Sequence, residues 1–306
     1  MRASEDVREE LAQISPERAC DRHAELSALF HSAGSLHLRG SGDWALHLDV
    51  ASGAVARRAF ALLRIDGIRS ELRTYRRRAF DRATRYQLHL EGGDRSLQVL
   101  VAAGVLDGRH APLECPPKRV VARACCRRAY LRGAFLGGGT LSSRRSSHLE
   151  LRTASLAGAS FLVDVARAEG ARVSAVERRG QAIAYAKGWD AIESLLSLMG
   201  AAETVLALEE RAVIAATRAQ ANRLANADHA NLVRTSDAAQ AQLAAAERRR
   251  AEGRLDRLPR PLQEAAELRL RHPTNSLREL AARTDPPASK AAMHRRLRRI
   301  EELGSA

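Results

Sequence analysis

One order of predicted elements occurs twice along the chain, and this internal repeat restricts the fold more than any other feature. Hydrophobic periodicity and turn residues give the order αββαββα in both copies. The segments of the first copy are a helix over 16–33, strands over 35–38 and 45–50, a helix over 53–64, strands near 68–75 and 84–91, and a helix around 93–103. The segments of the second copy are a helix over 122–138, strands near 140–143 and 147–153, a helix over 155–169, a hairpin of 171–180 with 181–188, and a helix over 190–199. Two copies of one α+β module imply a pseudo-twofold body with a shared sheet, and because no second chain is needed to close that sheet we expect a monomer.

The rest of the chain is predicted to be helical. Residues 203–252 contain no proline and predict a long helix with a poor apolar stripe. Three further helices are predicted over 261–271, 276–283 and 289–303. The domain limits expected from these patterns are a first repeat over 1–120, a second repeat over 121–215, a helical linker or start of the C-terminal domain over 216–257, and a C-terminal domain over 258–306.

Charge and composition narrow the possible partners. The 306 residues carry 50 Lys and Arg against 36 Asp and Glu, which gives a net charge of +14 and favours a polyanion as partner. A hydrophobic content of 45% excludes a mainly disordered chain. There is no run of 18 apolar residues, and the N-terminal MRASEDVREEL is charged throughout. We therefore expect neither a membrane span nor a secretory signal, and a cytoplasmic location.

The C-terminal segment has the most specific pattern, a short helix, a turn and a basic helix. Met293, Leu297 and Ile300 form an apolar stripe on the last helix, and Ser289 is placed to cap it. The opposite side holds the residues predicted to contact DNA, with Lys290 and Arg299 on the flanks and Ala291, His294, Arg295 and Arg298 between them. This pattern is typical of a helix-turn-helix whose second helix enters the major groove. The alternative is a solvated basic face on an ordinary helical bundle.

Arg296 falls on the core side of the same helix. A charge at a buried edge usually needs a partner, and Glu267 or Glu279 could supply it. We expect Arg296 to orient the helix rather than to contact bases.

A second basic region lies at 57–89 and contains ten arginines. Arg73, Arg76, Arg77 and Arg78 fall on a predicted hairpin with Tyr75 nearby, and they could contact the DNA backbone. The alternative is an ordinary solvated surface in an arginine-rich chain.

Motifs for catalysis and cofactors are absent from the sequence. There is no phosphate-binding G-x-x-x-x-G-K-[ST], no G-x-S-x-G and no H-E-x-x-H. The four cysteines, Cys20, Cys115, Cys125 and Cys126, are expected to be reduced thiols. The side chains of Cys125 and Cys126 should point apart because the residues are adjacent, which suits one tetrahedral ion badly. We therefore expect no catalytic residue, no cofactor and no metal.

The helices that open the two repeats share a spacing. LSALFHSAG at 26–34 and LRGAFLGGG at 131–139 resemble the two LAGLIDADG helices of homing endonucleases. In those enzymes the eighth residue is an acid that binds Mg²⁺, whereas the eighth positions here are Ala33 and Gly138. Neither residue can hold a cation. The resemblance implies the fold and not the nuclease.

Longer strings extend the resemblance to nearly the whole chain. RAYLRGAFLGGGTL at 128–141, NRLANADHANLVRT at 222–235 and the segment 258–303 are similar to the WhiA family. His294 and Arg295 resemble the family's usual Asn-His-Arg, with Met293 in the Asn place. The resemblance implies an α+β fold of two αββαββα LAGLIDADG-like repeats in one body, followed by an all-α helix-turn-helix domain.

The same resemblance implies a function. The family consists of bacterial transcription regulators tied to sporulation or cell division, associated in sporulating actinobacteria with the iron–sulfur regulator WhiB. We therefore expect a nucleoid-associated, sequence-specific regulator that binds double-stranded DNA and is not an enzyme. The alternatives are an active endonuclease, which Ala33 and Gly138 disfavour, and an adaptor whose body binds another regulator while its C-terminal domain binds DNA non-specifically.

Overall fold

A computed structural model of the chain describes residues 2–38, 44–76, 83–142 and 147–304. The chain divides into two compact units, Met1–Arg211 and Ala212–Ala306. No helix in the described part of the chain has both the length and the apolarity needed to cross a membrane.

The first unit contains the repeat that the sequence predicts, element for element. The first copy comprises α2 (Ala19–Ala33), β1 (Gly34–Leu38), β2 (Trp44–Val50), α3 (Gly53–Ile65), β3 (Ser70–Arg76), β4 (Thr84–Glu91) and α4 (Asp94–Ala102). The second copy comprises α5 (Ala124–Gly138), β5 (Gly139–Ser142), β6 (His148–Thr153), α6 (Leu156–Ala168), β7 (Ser174–Arg178), β8 (Gln181–Lys187) and α7 (Trp189–Met199). The predicted order αββαββα is confirmed in both copies.

Each copy forms its own antiparallel sheet of four strands, so the expectation of one shared sheet is wrong. The strand orders are β1-β2-β4-β3 and β5-β6-β8-β7, which is the same topology twice. Leu46 and Leu88 are buried on the helix-covered side of the first sheet. Four strands of one copy are sufficient to cover its own helices, and the two copies meet through helices instead of through a strand pair.

The meeting point is the helix pair α2 and α5. Residues from Ala24 to Phe30 and from Ala129 to Leu136 are buried without interruption, as expected of helices covered on all sides. Gly133 allows the close approach, because a Cβ atom there would lie 2.3 Å from the carbonyl oxygen of Glu25. The helices that resemble LAGLIDADG segments therefore form the core between the repeats.

A buried ion network crosses the same helix pair. Glu25 of α2 is fully buried, and its carboxylate accepts a 2.9 Å hydrogen bond from Nε of Arg58 on α3. It accepts another, of 2.8 Å, from Nε of Arg132 on α5. Arg132 also donates to the carbonyl oxygen of Met199, and Arg58 donates to Ser15. One carboxylate thus holds two buried guanidinium groups, one from each repeat.

The N-terminal region differs from the prediction. A helix that the sequence analysis did not predict, α1 (Arg2–Gln13), precedes the first repeat. Val7 and Leu11 are fully buried at the i, i+4 spacing of one helix face. The helix predicted from residue 16 begins at Ala19, and Pro16 lies outside it. Six of the twelve residues of α1 are charged, so its short apolar stripe is a weak signal in the sequence.

The predicted long helix is confirmed as α8 (Ala202–Ala251). Its first turns contribute Val205 and Leu208 to the core of the first unit, and its last turns contribute Ala245 and Ala246 to the core of the second. Residues 210–238 are exposed on every side. The boundary between the two units falls within this helix.

Candidate nucleic-acid interface

The second unit places three short helices on a small apolar core. They are α9 (Arg260–Arg271), α10 (Leu277–Ala282) and α11 (Lys290–Gly304). The core is made of alanine, leucine, methionine and isoleucine side chains, and its buried members from these three helices are Ala265, Ala266, Leu268, Leu280, Ala281, Met293, Leu297 and Ile300. The predicted stripe of Met293, Leu297 and Ile300 therefore faces inward.

The short helix α10 is fixed at its start by a capping box. The hydroxyl of Ser276 accepts from the backbone N–H of Glu279, and the carboxylate of Glu279 accepts a 2.7 Å bond from the backbone N–H of Ser276. That backbone hydrogen bond holds the pKa of the Glu279 carboxyl below its usual value. The cap stabilises a helix of only six residues, too short to persist alone.

Thr284 organises the turn between α10 and α11. Its buried hydroxyl donates to the carbonyl oxygen of Ala281 at 2.9 Å and accepts from the backbone N–H of Ala288 at 2.8 Å. Ser289 then accepts from the backbone N–H of Ala292, so the predicted cap of the last helix is confirmed. These bonds set the direction in which α11 leaves the turn.

The outer face of α11 carries the residues singled out in the sequence. Each of Lys290, Ala291, His294, Arg295, Arg298 and Arg299 is exposed to solvent. A shared carboxylate holds two of them, since Glu302 lies 3.4 Å from Arg298 Nε and 3.2 Å from Arg299 Nη1. Arg295 has no ion-pair partner among the residues that the structure describes. The face is therefore a basic surface at the end of a capped helix-turn unit.

Arg296 lies at the edge of the core, as its position on the helix predicts, but the expected partners are wrong. Its Nη1 lies 3.7 Å from Oε2 of Glu264 on α9, and neither Glu267 nor Glu279 pairs with it. Glu267 instead binds Arg271 one turn along its own helix, and Glu279 is used in the capping box. Arg296 thus ties α11 to α9.

Arg269 is a structural residue that the sequence analysis missed. It is 2% exposed and donates to the carbonyl oxygens of Pro273 and Asn275 and to Oε1 of Gln242 on α8. Burial lowers the pKa of its guanidinium. The sequence does carry a signal for this role, because Arg269 falls on the apolar side of α9 with Ala265 and Ala266. The side chain fastens the α9–α10 connection to the end of α8.

The predicted backbone contacts lie on the first sheet. Arg73 and Arg76 are both exposed on β3, and Arg73 forms an ion pair with Glu71. The hydrogen bond from Arg73 lowers the pKa of Glu71. Arg77 and Arg78 lie outside the described residues. Among the described residues, β3 therefore presents two of the four predicted arginines, and Glu71 holds Arg73.

The positions that bear acids in homing endonucleases lie at the C-terminal ends of α2 and α5. Ala33 and Gly138 are the last residues of the two helices. A Cβ atom on Gly138 would lie 2.6 Å from the carbonyl oxygen of Arg152. The backbone of β6 thus fills the space that a side chain would need.

The cysteines do not follow the sequence expectation. Cys125 and Cys126 do not point apart, since their sulfurs lie 3.9 Å from each other. Rotation of each side chain about its Cα–Cβ bond allows adjacent residues to bring their thiols together. They meet Cys20 and Asp21 in one cluster of possible metal ligands. Burial raises the pKa of the Cys126 thiol, and hydrogen bonding with Cys20 and Asp21 raises it further. Cys115 lies outside this cluster.

Comparison with known protein families gives three matches in order along the chain. They are the WhiA N-terminal LAGLIDADG-like domain over residues 19–105, the WhiA LAGLIDADG-like domain over 127–218 and the WhiA C-terminal HTH domain over 221–304. The last match begins within α8 and includes the asparagine-rich segment 222–231.

Curated relatives and a solved structure match over nearly the whole length. The chain is 36% identical to "Probable cell division protein WhiA" of Heliobacterium modesticaldum, covering 100% of this chain and 97% of that protein. It is 39% identical to the protein of the same name from Streptomyces avermitilis, covering 96% and 89%. The crystal structure of full-length DUF199/WhiA from Thermatoga maritima matches with a TM-score of 0.56 at 21% identity, covering 98% of this chain and 97% of that one. That last likeness concerns the fold alone.

Proposed function

The chain belongs to the WhiA family, and we propose that it is a sequence-specific DNA-binding transcription regulator of cell-division or sporulation genes. The observation that carries the proposal is the outer face of α11, where basic side chains are exposed on a helix whose other side is packed into the core. In a helix-turn-helix, that face lies in the major groove, where arginine can bind guanine through two hydrogen bonds. A basic face of this kind, on a chain of net charge +14, supports a duplex as the ligand.

Within this proposal the exposed residues divide by position. Ala291, His294, Arg295 and Arg298 face the base edges, and Lys290 and Arg299 lie toward the sugar–phosphate walls. Arg73 and Arg76 of β3 add backbone contacts, with Arg77 and Arg78 of the same segment. Phosphate contacts position a protein on the duplex, and base contacts specify the sequence.

Genome-wide DNA occupancy in the source organism is the experiment that tests the proposal. Discrete enriched sites that share a sequence motif, and that are lost in a strain whose α11 lacks Arg295, would support it. A uniform signal along the chromosome would contradict it and would favour the adaptor alternative. Copurification from the same cells tests the proposed partnership with a WhiB-like iron–sulfur regulator.

We expect no cleavage of DNA. Ala33 and Gly138 offer no ligand for Mg²⁺, and Gly138 has no room for a longer side chain because of the Arg152 carbonyl group. The measurement is incubation of supercoiled plasmid with the purified chain and Mg²⁺ or Mn²⁺. Nicked or linear product that depends on the metal would contradict the proposal, provided that it persists in a preparation freed of contaminating nucleases.

We expect the chain to be a monomer. The two repeats already supply each other's packing partner through α2 and α5, which buries the surface that a single repeat would need to cover with a second copy. Sedimentation at micromolar concentration without DNA measures the mass directly. A stable dimer under those conditions would contradict this expectation.

Replacing Glu302 should strengthen DNA binding, and it should do so more on the cognate duplex than on a scrambled one. Glu302→Gln removes the carboxylate that holds both Arg298 and Arg299, so both guanidinium groups become free for phosphates or bases. We expect affinity for a scrambled duplex to rise about two- to fivefold at low salt, because each freed cation adds to the electrostatic term. The rise should be larger on the cognate duplex, because Arg298 faces the base edges in this proposal. Asp237→Asn, the same change of charge on exposed α8, is the matched control. Equal gains in both variants would show that net charge alone was responsible.

A further inference from the structure

Three thiols and a carboxylate meet at the N-terminal ends of the helix pair, and nothing in the proposed function uses them. Cys20 and Asp21 lie in the first turn of α2, and Cys125 and Cys126 lie in the first turn of α5. The sulfur atoms and a carboxylate oxygen all lie within 4.8 Å of one another. We propose that these four side chains bind one zinc ion, which ties the two repeats together at this end.

The pseudo-twofold relation of the repeats places the four ligands. Helices α2 and α5 are both 15 residues long, and each opens one repeat. Cys20 and Cys125 are the second residues of their helices, and Asp21 and Cys126 are the third. Each helix therefore contributes the same two positions, and the close packing of the pair brings the four together. The opposite ends of the same helices carry Ala33 and Gly138, so this site is distinct from the position of a nuclease centre.

The distances suit a tetrahedral ion. Zinc–sulfur bonds of about 2.3 Å place the sulfurs of a tetrahedral site about 3.8 Å apart. The sulfurs of Cys125 and Cys126 are 3.9 Å apart, and Oδ1 of Asp21 is 3.5 Å from Sγ of Cys20. The remaining separations are at most 4.8 Å, so they need to shorten by up to about 1 Å between two sulfurs and up to about 1.3 Å between a sulfur and the carboxylate oxygen. Rotation of the thiols is sufficient for that change.

The donor set selects the metal. Three of the four donors are soft sulfurs, which disfavour Mg²⁺ and Ca²⁺ because those ions take oxygen ligands, and zinc also accepts the one carboxylate oxygen. A four-iron cluster is itself several ångströms across, so its cysteine sulfurs must stand farther apart than these do. Four protein ligands leave no open position for water, which is typical of structural rather than catalytic zinc.

Positive groups border the cluster, and solvent reaches it. The positive ends of two helix dipoles meet there, and they oppose the effect of burial, which raises the pKa of the Cys126 thiol. Nη1 of Arg18, the residue before α2, lies 3.9 Å from the sulfur of Cys125. Cys126 is buried, whereas Cys20, Asp21 and Cys125 are partly exposed. An ion can therefore enter from solvent and be held against the buried thiol.

Cobalt titration of the full chain tests the site. The purified protein is reduced, stripped with a chelator and titrated with Co²⁺, and Zn²⁺ is then added. We expect one equivalent of Co²⁺ to bind with the intense visible bands of tetrahedral coordination and a thiolate charge-transfer band, and Zn²⁺ to displace it. Cys20→Ser or Cys125→Ser should lower the charge-transfer intensity by about a third, because two of three thiolates remain. Affinity should fall by more than the ten- to hundredfold that loss of an outer-shell partner causes.

Two further variants make the result decisive. Cys115→Ser is the matched control, because this cysteine lies outside the cluster, and its titration should equal that of the unmodified chain. Asp21→Asn should weaken binding while retaining the charge-transfer intensity of three thiolates. Absence of stoichiometric Co²⁺ binding by the folded chain would overturn the proposal. A pair of cluster cysteines that forms a disulfide in air, with no metal bound by the reduced protein, would show a redox pair instead.

Discussion

Glu25→Ala is expected to destabilise the first unit by about 3–5 kcal/mol. The substitution removes the one carboxylate that holds Arg58 and Arg132, whose side chains are 4% and 9% exposed. Two guanidinium groups would then remain buried, and their acceptors among the residues that the structure describes would be Ser15 and the Met199 carbonyl group. An unpaired buried charge costs more than its pair contributes, because it keeps the desolvation penalty and loses the attraction that offset it.

The measurement uses the tryptophans. The chain has two, Trp44 and Trp189, and both lie in the first unit, so denaturant unfolding followed by their fluorescence reports this unit. Glu25→Gln keeps the shape and removes only the charge, and it should also destabilise. Asp164→Ala is the control, since it breaks an ion pair whose members are 73% and 74% exposed and should change stability by less than about 1 kcal/mol. A similar, small effect of Glu25→Ala would mean that water reaches the network.

The sequence was most informative where structure depends on near neighbours. Alternating leucines predicted β2, and the register pairs Leu36 with Leu46 and Gly34 with Leu48 on one face. Stripes at helical spacing predicted α11, and Ser289 marked its start. Spacing of three, four or two residues is set by the geometry of a single element, so it survives in the sequence.

Contacts between distant segments were not predictable in the same way. Glu25 meets Arg132 across 107 positions, and Cys20 meets the Cys125–Cys126 pair across a similar separation. Nothing in the local pattern of α2 indicates which face touches α5. Aligning the two repeats could have predicted the cysteine cluster, because residues 19–33 align with 124–138 and this places Cys20 on Cys125 and Asp21 on Cys126.

The prediction of one shared sheet was wrong for a related reason. A repeat count says that two modules pack together but does not say which elements form the contact. Gly133 identifies the helices as that contact, since its missing side chain permits an approach that any other residue would prevent. Similarly, the sequence offers Glu267 and Glu279 as partners for Arg296, and the packing of α9 against α11 brings Glu264 to it instead.

Arg295→Ala is expected to reduce binding to the cognate duplex by about 1–3 kcal/mol, or about 5- to 150-fold, and to leave binding to scrambled DNA nearly unchanged. Arg295 is exposed on the side of α11 opposite the buried Met293, Leu297 and Ile300, so under the proposed function it faces base edges. Its guanidinium group is not engaged by a carboxylate in the described part of the chain. It can therefore form both hydrogen bonds to a guanine without first breaking an ion pair.

Arg299→Ala is the matched comparison on the same helix. Arg299 lies on the flank, toward the phosphates, and its loss should weaken binding to both duplexes alike. The slope of log K against log salt should fall by about 0.9 for one phosphate contact, less the part of that contact that Glu302 already offsets. Titration of both variants against cognate and scrambled duplexes at several salt concentrations separates the two roles.

Arg296→Ala completes the series, because it lies next to Arg295 but ties α11 to Glu264 on α9. Its main effect should be a lower melting temperature of the second unit, with a smaller effect on the ratio of cognate to scrambled affinity. Arg295→Ala should do the reverse, leaving the melt unchanged while the ratio falls. Equal losses on both duplexes for Arg295→Ala would mean that its side chain contacts the DNA phosphates rather than the bases. Sequence preference would then depend on the other residues of the face, His294 and Arg298. A collapse of the ratio for Arg296→Ala at constant stability would mean that α11 enters the groove with a different face from the one that its packing exposes.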